Sequence, residues 1–99
     1  MKPDLATITH ERFEACLHQT FQARLDAGEV PMELIRVSPI GKPEPGYRQA
    51  FSLLFRAPKS STLPQRIYPL QHPTLGHLDI FLVPIGPDQE GLQYEAVFA

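Results

Sequence analysis

The stretch His72-Pro73-Thr74-Leu75-Gly76-His77-Leu78-Asp79-Ile80-Phe81-Leu82-Val83-Pro84-Ile85-Gly86 decides how the rest of the chain is read. It opens on a Pro-containing turn, runs through an apolar strand and closes on Pro84, Gly86 and Pro87. Successive strand side chains point to opposite faces, so Leu78, Ile80 and Leu82 share one face while Asp79, Phe81 and Val83 share the other. A strand half exposed to water carries polar groups on its outer face. Here two of the three are large and apolar, which predicts a strand covered on both sides. The wording of the stretch is architectural, with no catalytic motif in it.

Eleven prolines among 99 residues are about twice the ~5% average, and they punctuate the chain instead of clustering. Pro31, Pro39, Pro58, Pro64, Pro73, Pro84 and Pro87 each stand where an apolar run begins or ends. Proline cannot donate to a sheet ladder and is expected at strand ends. Short strands at regular intervals predict an antiparallel β domain.

In chain order, residues 1–8 form a leader in which Leu5 and Ile8 can pack. Thr9 is placed to cap a helix over 10–18, with Glu11 in its first turn and Phe13, Cys16 and Leu17 on one stripe. Phe21, Ala23 and Leu25 alternate as a first strand. Asp26-Ala27-Gly28-Glu29 turns the chain into a second strand over 30–38, where Met32 and Leu34 oppose Ile35 and Val37. The segment 40–46 is loop-like, followed by a third strand over 47–57. A fourth over 65–71 is interrupted by Pro69, which predicts a break there and an imperfectly closed barrel beside it. The fifth strand is the opening stretch, Asp88-Gln89-Glu90-Gly91 is a turn, and the sixth spans 92–98. The expectation is one domain over 1–99, with leader 1–8, helix 9–19 and antiparallel β 20–99. It is mainly β (α+β), with about six strands in a meander forming a small barrel or strongly curved sheet. Phe51, Leu53, Phe55, Leu78, Ile80, Leu82, Tyr94 and Phe98 are the inward set, bulky enough to fill a small barrel.

The runs Phe51-Ser52-Leu53-Leu54-Phe55-Arg56-Ala57-Pro58, Leu63-Pro64-Gln65, Tyr68-Pro69-Leu70, the His72–Pro87 pattern and Tyr94-Glu95-Ala96-Val97-Phe98 resemble a small family of uncharacterised bacterial domains of about 100 residues. The resemblance covers the chain from about Phe13 to Phe98. Members of that family often lie near tail-collar-like, phage-tail-type proteins, which implies an accessory role in such an assembly. The resemblance carries no site residues across.

Composition narrows the function. A net charge of −2 with the nine Lys and Arg scattered singly argues against nucleic acid as a partner. No apolar run approaches the ~20 residues that span a bilayer, so a membrane role is not expected, and Met1-Lys2-Pro3-Asp4 lacks an apolar signal region, which reads as cytoplasmic. One cysteine permits no internal disulfide. His10, His18, His72 and His77 with Asp79 could ligate an ion only if three or four converged, so turn and surface roles are expected and no metal or other cofactor is assigned. Cys16 lies on the apolar stripe of the helix and is read as core, not as a nucleophile. Asp79 could serve as an acid or base in a barrel mouth; pairing across strands with Arg56 is the favoured reading. No nucleophile elbow or phosphate loop is present, and no enzyme is expected. The surplus of outward apolar residues, Leu54, Phe81 and Val83 foremost, marks an interface for a protein partner or a homodimer. A small-ligand-binding barrel is the alternative, disfavoured because the bulky inward set should fill the interior.

Overall fold

The computed structural model of the chain describes residues 4–99. It contains one short helix, α1 (His10–Glu14), and six strands: β1 (Thr20–Leu25), β2 (Gly28–Pro39), β3 (Phe51–Ala57), β4 (Arg66–His72), β5 (Gly76–Pro87) and β6 (Leu92–Phe98). The strands close into a barrel with the order β1-β2-β3-β6-β5-β4, all neighbours antiparallel and β4 returning to β1.

That order corrects the expected meander. Each half of the chain is a meander, but the 58–65 connection carries the chain across the barrel end, so that β3 pairs with β6 and not with β4. Two tyrosines hold this connection in place. The Tyr94 hydroxyl accepts from Leu63 N at 2.9 Å and donates to Ser61 O at 2.8 Å, and the Tyr68 hydroxyl donates to Pro64 O.

The prolines are less exclusive than expected, since Pro31, Pro69 and Pro84 lie inside strands. Pro69 does not break β4, which pairs with β5 throughout. Its effect falls on the other neighbour: β1 and β4 share only Gln22↔Gln71 and Ala23↔Leu70, and the pairing stops beside Pro69. A residue without an N–H is tolerated where the ladder has ended.

The doubly apolar β2 also has a local cause. The β2–β3 register shifts between Leu34 and Arg36, leaving Ile35 as the extra residue of a bulge. A bulge reverses the phase of alternation, so Met32 and Leu34 point inward before it and Val37, opposite Leu53, packs against the core after it. The expected two-sided cover of β5 holds on one side only. Leu78, Ile80 and Leu82 are buried, while Phe81 faces outward and is exposed.

All eight residues of the expected inward set are buried. Phe51 and Phe98 stack at 4.8 Å and Phe21 meets Phe55 edge-on at 5.3 Å, so aromatic rings fill the interior. At one end Phe13, fully buried, touches Phe21, Phe51 and Phe98 and plugs the opening. The helix that delivers it is shorter than expected. Thr9 occupies the N-cap position, but its side chain makes no capping bond. After Glu14 the chain tightens into turns, with Cys16 N on Phe13 O and Leu17 N on Glu14 O. His18 takes φ 68°, and its N–H donates to Leu34 O at 2.7 Å. The backbone leaves the helix to reach β2, which ends α1. Of the expected leader, Ile8 is in the core and Leu5 packs on it; the part over residues 1–3 lies outside the described residues.

Candidate functional site

Since the interior is filled with side chains, any site must lie on the outer wall or at the ends of the barrel. The outer wall carries one apolar row. Ile67 on β4 stands directly opposite Phe81 on β5, and the two are 60% and 49% exposed. Val83, half-buried, follows Phe81 on the same face and pairs with Glu95 of β6; Val97, two residues on from Glu95, is exposed as well. Alternation puts all of these outside, because their neighbours Tyr68, Ile80, Leu82 and Ala96 are inward and buried.

Leu54 does not belong to this surface. It is only 8% exposed, flanked in register by Arg36 of β2 and Glu95 of β6. Long charged side chains lay their alkyl stems over an apolar neighbour, and the bulge at Ile35 brings Arg36 beside it. Phe81 and Val83 remain as the outward residues expected from the sequence.

The expected Arg56–Asp79 pair is also corrected. Arg56 is in register with Gln93, and Gln93 with Gly86 at the end of β5, whereas Asp79 lies near the start of that strand. Arg56 instead binds Asp88, with Nε and Nη2 at 2.8 and 2.7 Å from Oδ2, and reaches Glu90 at 3.2 Å. Asp88 Oδ1 accepts the backbone N–H groups of Glu90 and Gly91, both at 2.8 Å, and Gln93 Nε2 donates to Oδ2. The Arg56 hydrogen bond, together with these donors, holds the Asp88 carboxyl far below the usual carboxylate range. The cluster pins the β5–β6 turn to the end of β3. Gly91 permits the approach, because a Cβ there would lie 2.3 Å from Ala57 O.

The histidines do not converge. His77 and Asp79 share a face as expected, but they bond to each other: His77 Nε2 donates to Asp79 Oδ1 at 2.7 Å, and Gln71 Nε2 donates to Nδ1 at 2.8 Å. His72 turns inward against Phe21, with ring centroids 4.6 Å apart. Its Nδ1 accepts from Thr74 N and Leu75 N, and its Nε2 donates to Gln19 Oε1 at 2.7 Å. Both ring nitrogens are used, and burial lowers its pKa. Among the described residues no three His, Cys, Asp or Glu side chains are placed to hold a metal ion. Cys16 is buried in the core cluster, and burial pushes its thiol pKa up, away from the thiolate a nucleophile needs.

Two features escaped the sequence reading. The Asp88 turn had a local signal, an Asp three residues before Gly91, but its Arg56 partner had none. Arg48, inside the expected third strand, in fact precedes β3. It donates to Leu5 O, Ile8 O and Ala99 O at 2.7, 2.8 and 2.7 Å and lies near the rings of Phe51 and Phe98, tying both ends of the described chain to the helical end of the barrel.

Among the described residues no helix is long and apolar enough to cross a membrane. A family model described as a domain of unknown function, DUF6916, matches residues 8–98, and the chain belongs to that family. No curated protein and no solved structure matches it.

Proposed function

We propose that this member of DUF6916 is a non-enzymatic interaction module that docks through the outer face of β4 and β5, with a second copy of the chain as its partner. The observation that supports this reading is the pair Ile67 and Phe81, directly opposed on neighbouring strands and each about half exposed. A closed barrel has no free edge with which to add a strand, so association has to use side chains on the wall.

Magnitude sets the kind of association. Full burial of such a side chain contributes ~1.5–3 kcal/mol, so covering the exposed halves of both residues on both copies contributes roughly 3–6 kcal/mol. A micromolar dimer needs ~8 kcal/mol. Association through this row is therefore weak and suits a setting where many copies are held close together. An accessory place in a phage-tail-like assembly, in a cytoplasmic setting, meets that condition and is part of the proposal.

Such energies correspond to dissociation constants from tens of micromolar to a few millimolar, so sedimentation velocity is run from about 50 µM to 2 mM. The wild type should gain mass with concentration, and Phe81→Lys and Ile67→Lys should remain monomeric with unchanged melting temperatures. A wild type that stays monomeric throughout overturns the proposal.

A further inference from the structure

At the end of the barrel away from Phe13, the 58–65 connection crosses from β3 to β4 outside any ladder. It is held by the Tyr94 and Tyr68 hydroxyls and by Leu63, which packs against the core. A half-open cleft lies on each side of this strap. One, of about 410 Å³, is walled by Leu63, Pro64, Pro84, Leu92 and Tyr94 and is almost wholly apolar. The other, of about 400 Å³, lies by the short β1–β4 seam and is lined by the charged side chains of Arg24, Arg66 and Asp26 together with Tyr68. Leu63 and Pro64 line both, so this dipeptide is the partition between them.

The two clefts differ in chemistry. In the apolar one the polar groups are largely engaged, with Tyr94 Oη on the strap and Gln93 Nε2 on Asp88. In the seam cleft Arg24 pairs with Glu29 at 3.3 Å. The Arg66 guanidinium lies over the Tyr68 ring at 5.4 Å and has no carboxylate partner among the described residues. An unpaired cation thus stands beside an apolar slot of a size that accepts small molecules.

We propose that this barrel end binds a small organic anion with an apolar body. The body enters the Pro84–Leu92–Tyr94 cleft and the acidic group reaches Arg66. Spanning the partition lifts Leu63 and Pro64 off the tyrosine hydroxyls and joins the two clefts into one. The strap is suited to this movement because side-chain hydrogen bonds, not strand pairing, hold it down.

The test uses the full chain with decanoate as the probe and decanol as its uncharged counterpart, followed by amide NMR and hydrogen exchange. Decanoate should shift the Leu63, Leu92 and Tyr94 amides saturably, and Leu63 N–H should exchange faster in the complex as its bond to Tyr94 Oη is released. Arg66→Gln should weaken decanoate about tenfold and leave decanol unchanged. Tyr94→Phe, which no longer holds the strap, should bind decanoate more tightly. Absence of saturable shifts, shifts confined to the Ile67–Phe81 face, equal loss of decanoate and decanol binding in Arg66→Gln, or slower Leu63 exchange in the complex each overturn the proposal. Because Arg66 is exposed, its replacement leaves the fold intact, and the wild-type exchange measurement stands even if Tyr94→Phe does not fold.

Discussion

Replacing Phe13 by Ala tests whether a five-residue helix is integral to the barrel or merely rides on it. Phe13 is fully buried and its ring lies 5.6–6.5 Å from those of Phe98, Phe51 and Phe21. Truncation removes the ring and leaves a cavity that Phe21, held edge-on to Phe55, and the stacked pair Phe51–Phe98 cannot collapse into. Phe→Ala changes in such sites cost ~3–5 kcal/mol, and the rigid aromatic surround argues for about 4 kcal/mol. A domain of this size has only ~5–15 kcal/mol in all, so the variant should lose a large fraction of its stability. At ~4–8 °C per kcal/mol its melting temperature should fall by about 15–30 °C. Urea unfolding followed by circular dichroism measures this directly. Phe13→Leu serves as the control and should lose no more than about 1.5 kcal/mol, because most of the volume is kept. If Phe13→Ala stays within ~1 kcal/mol of wild type at an unchanged denaturant slope, the plug contributes little and the barrel is self-sufficient.

Cys16→Ala should lower stability by roughly 1–2 kcal/mol, and the native thiol should react slowly with Ellman's reagent; fast labelling without unfolding contradicts its burial. Gly91→Ala should cost ~1–3 kcal/mol through overpacking, because the Ala57 carbonyl it meets is backbone; an unchanged thermal midpoint would mean the two strands part more easily than their spacing implies. Burial lowers the His72 pKa from 6.5, so the unfolded chain takes up the proton first. The stability contribution of neutral His72 is complete above about pH 6.5 and is lost as the pH falls. His72→Gln should flatten the stability slope below about pH 6.5; an identical slope in both proteins places the titration elsewhere.

What was legible in the sequence was what alternation decides locally. Leu78, Ile80 and Leu82 against Phe81 and Val83 is a statement about one strand, and it needs no partner to be true. The inward set followed for the same reason. Partner choice was not legible. Ile35 becomes a bulge only because β3 is its neighbour, and that bulge determines both where Val37 points and why Leu54 is covered. Arg56 finds Asp88 instead of Asp79 because β5 lies two strands from β3 and their register is set through β6 between them, and nothing within either segment encodes that sum. The strand order turned on the 58–65 connection, whose polar, proline-bounded composition is equally compatible with a hairpin loop and a crossing. On the outer wall Phe81 was evident, whereas Ile67 required knowing which β5 residue faces it.

The β1–β4 seam has a kinetic consequence. β1-β2-β3 and β4-β5-β6 are joined internally by near-neighbour hairpins, which form quickly. Closing the barrel requires residues about half the chain apart to meet, at β3–β6 and at Gln22↔Gln71 and Ala23↔Leu70, and such long-range closure is slow. With only two pairs, the seam gains least on closing and is the last to form and the first to part. Until it closes, β1 and β4 are sheet edges, and an edge pairs with whatever strand is offered. Two molecules refolding at high concentration can satisfy the same contacts by exchanging halves, β1-β2-β3 of one closing on β4-β5-β6 of the other. The native seam is thus where this barrel's protection against strand exchange is thinnest.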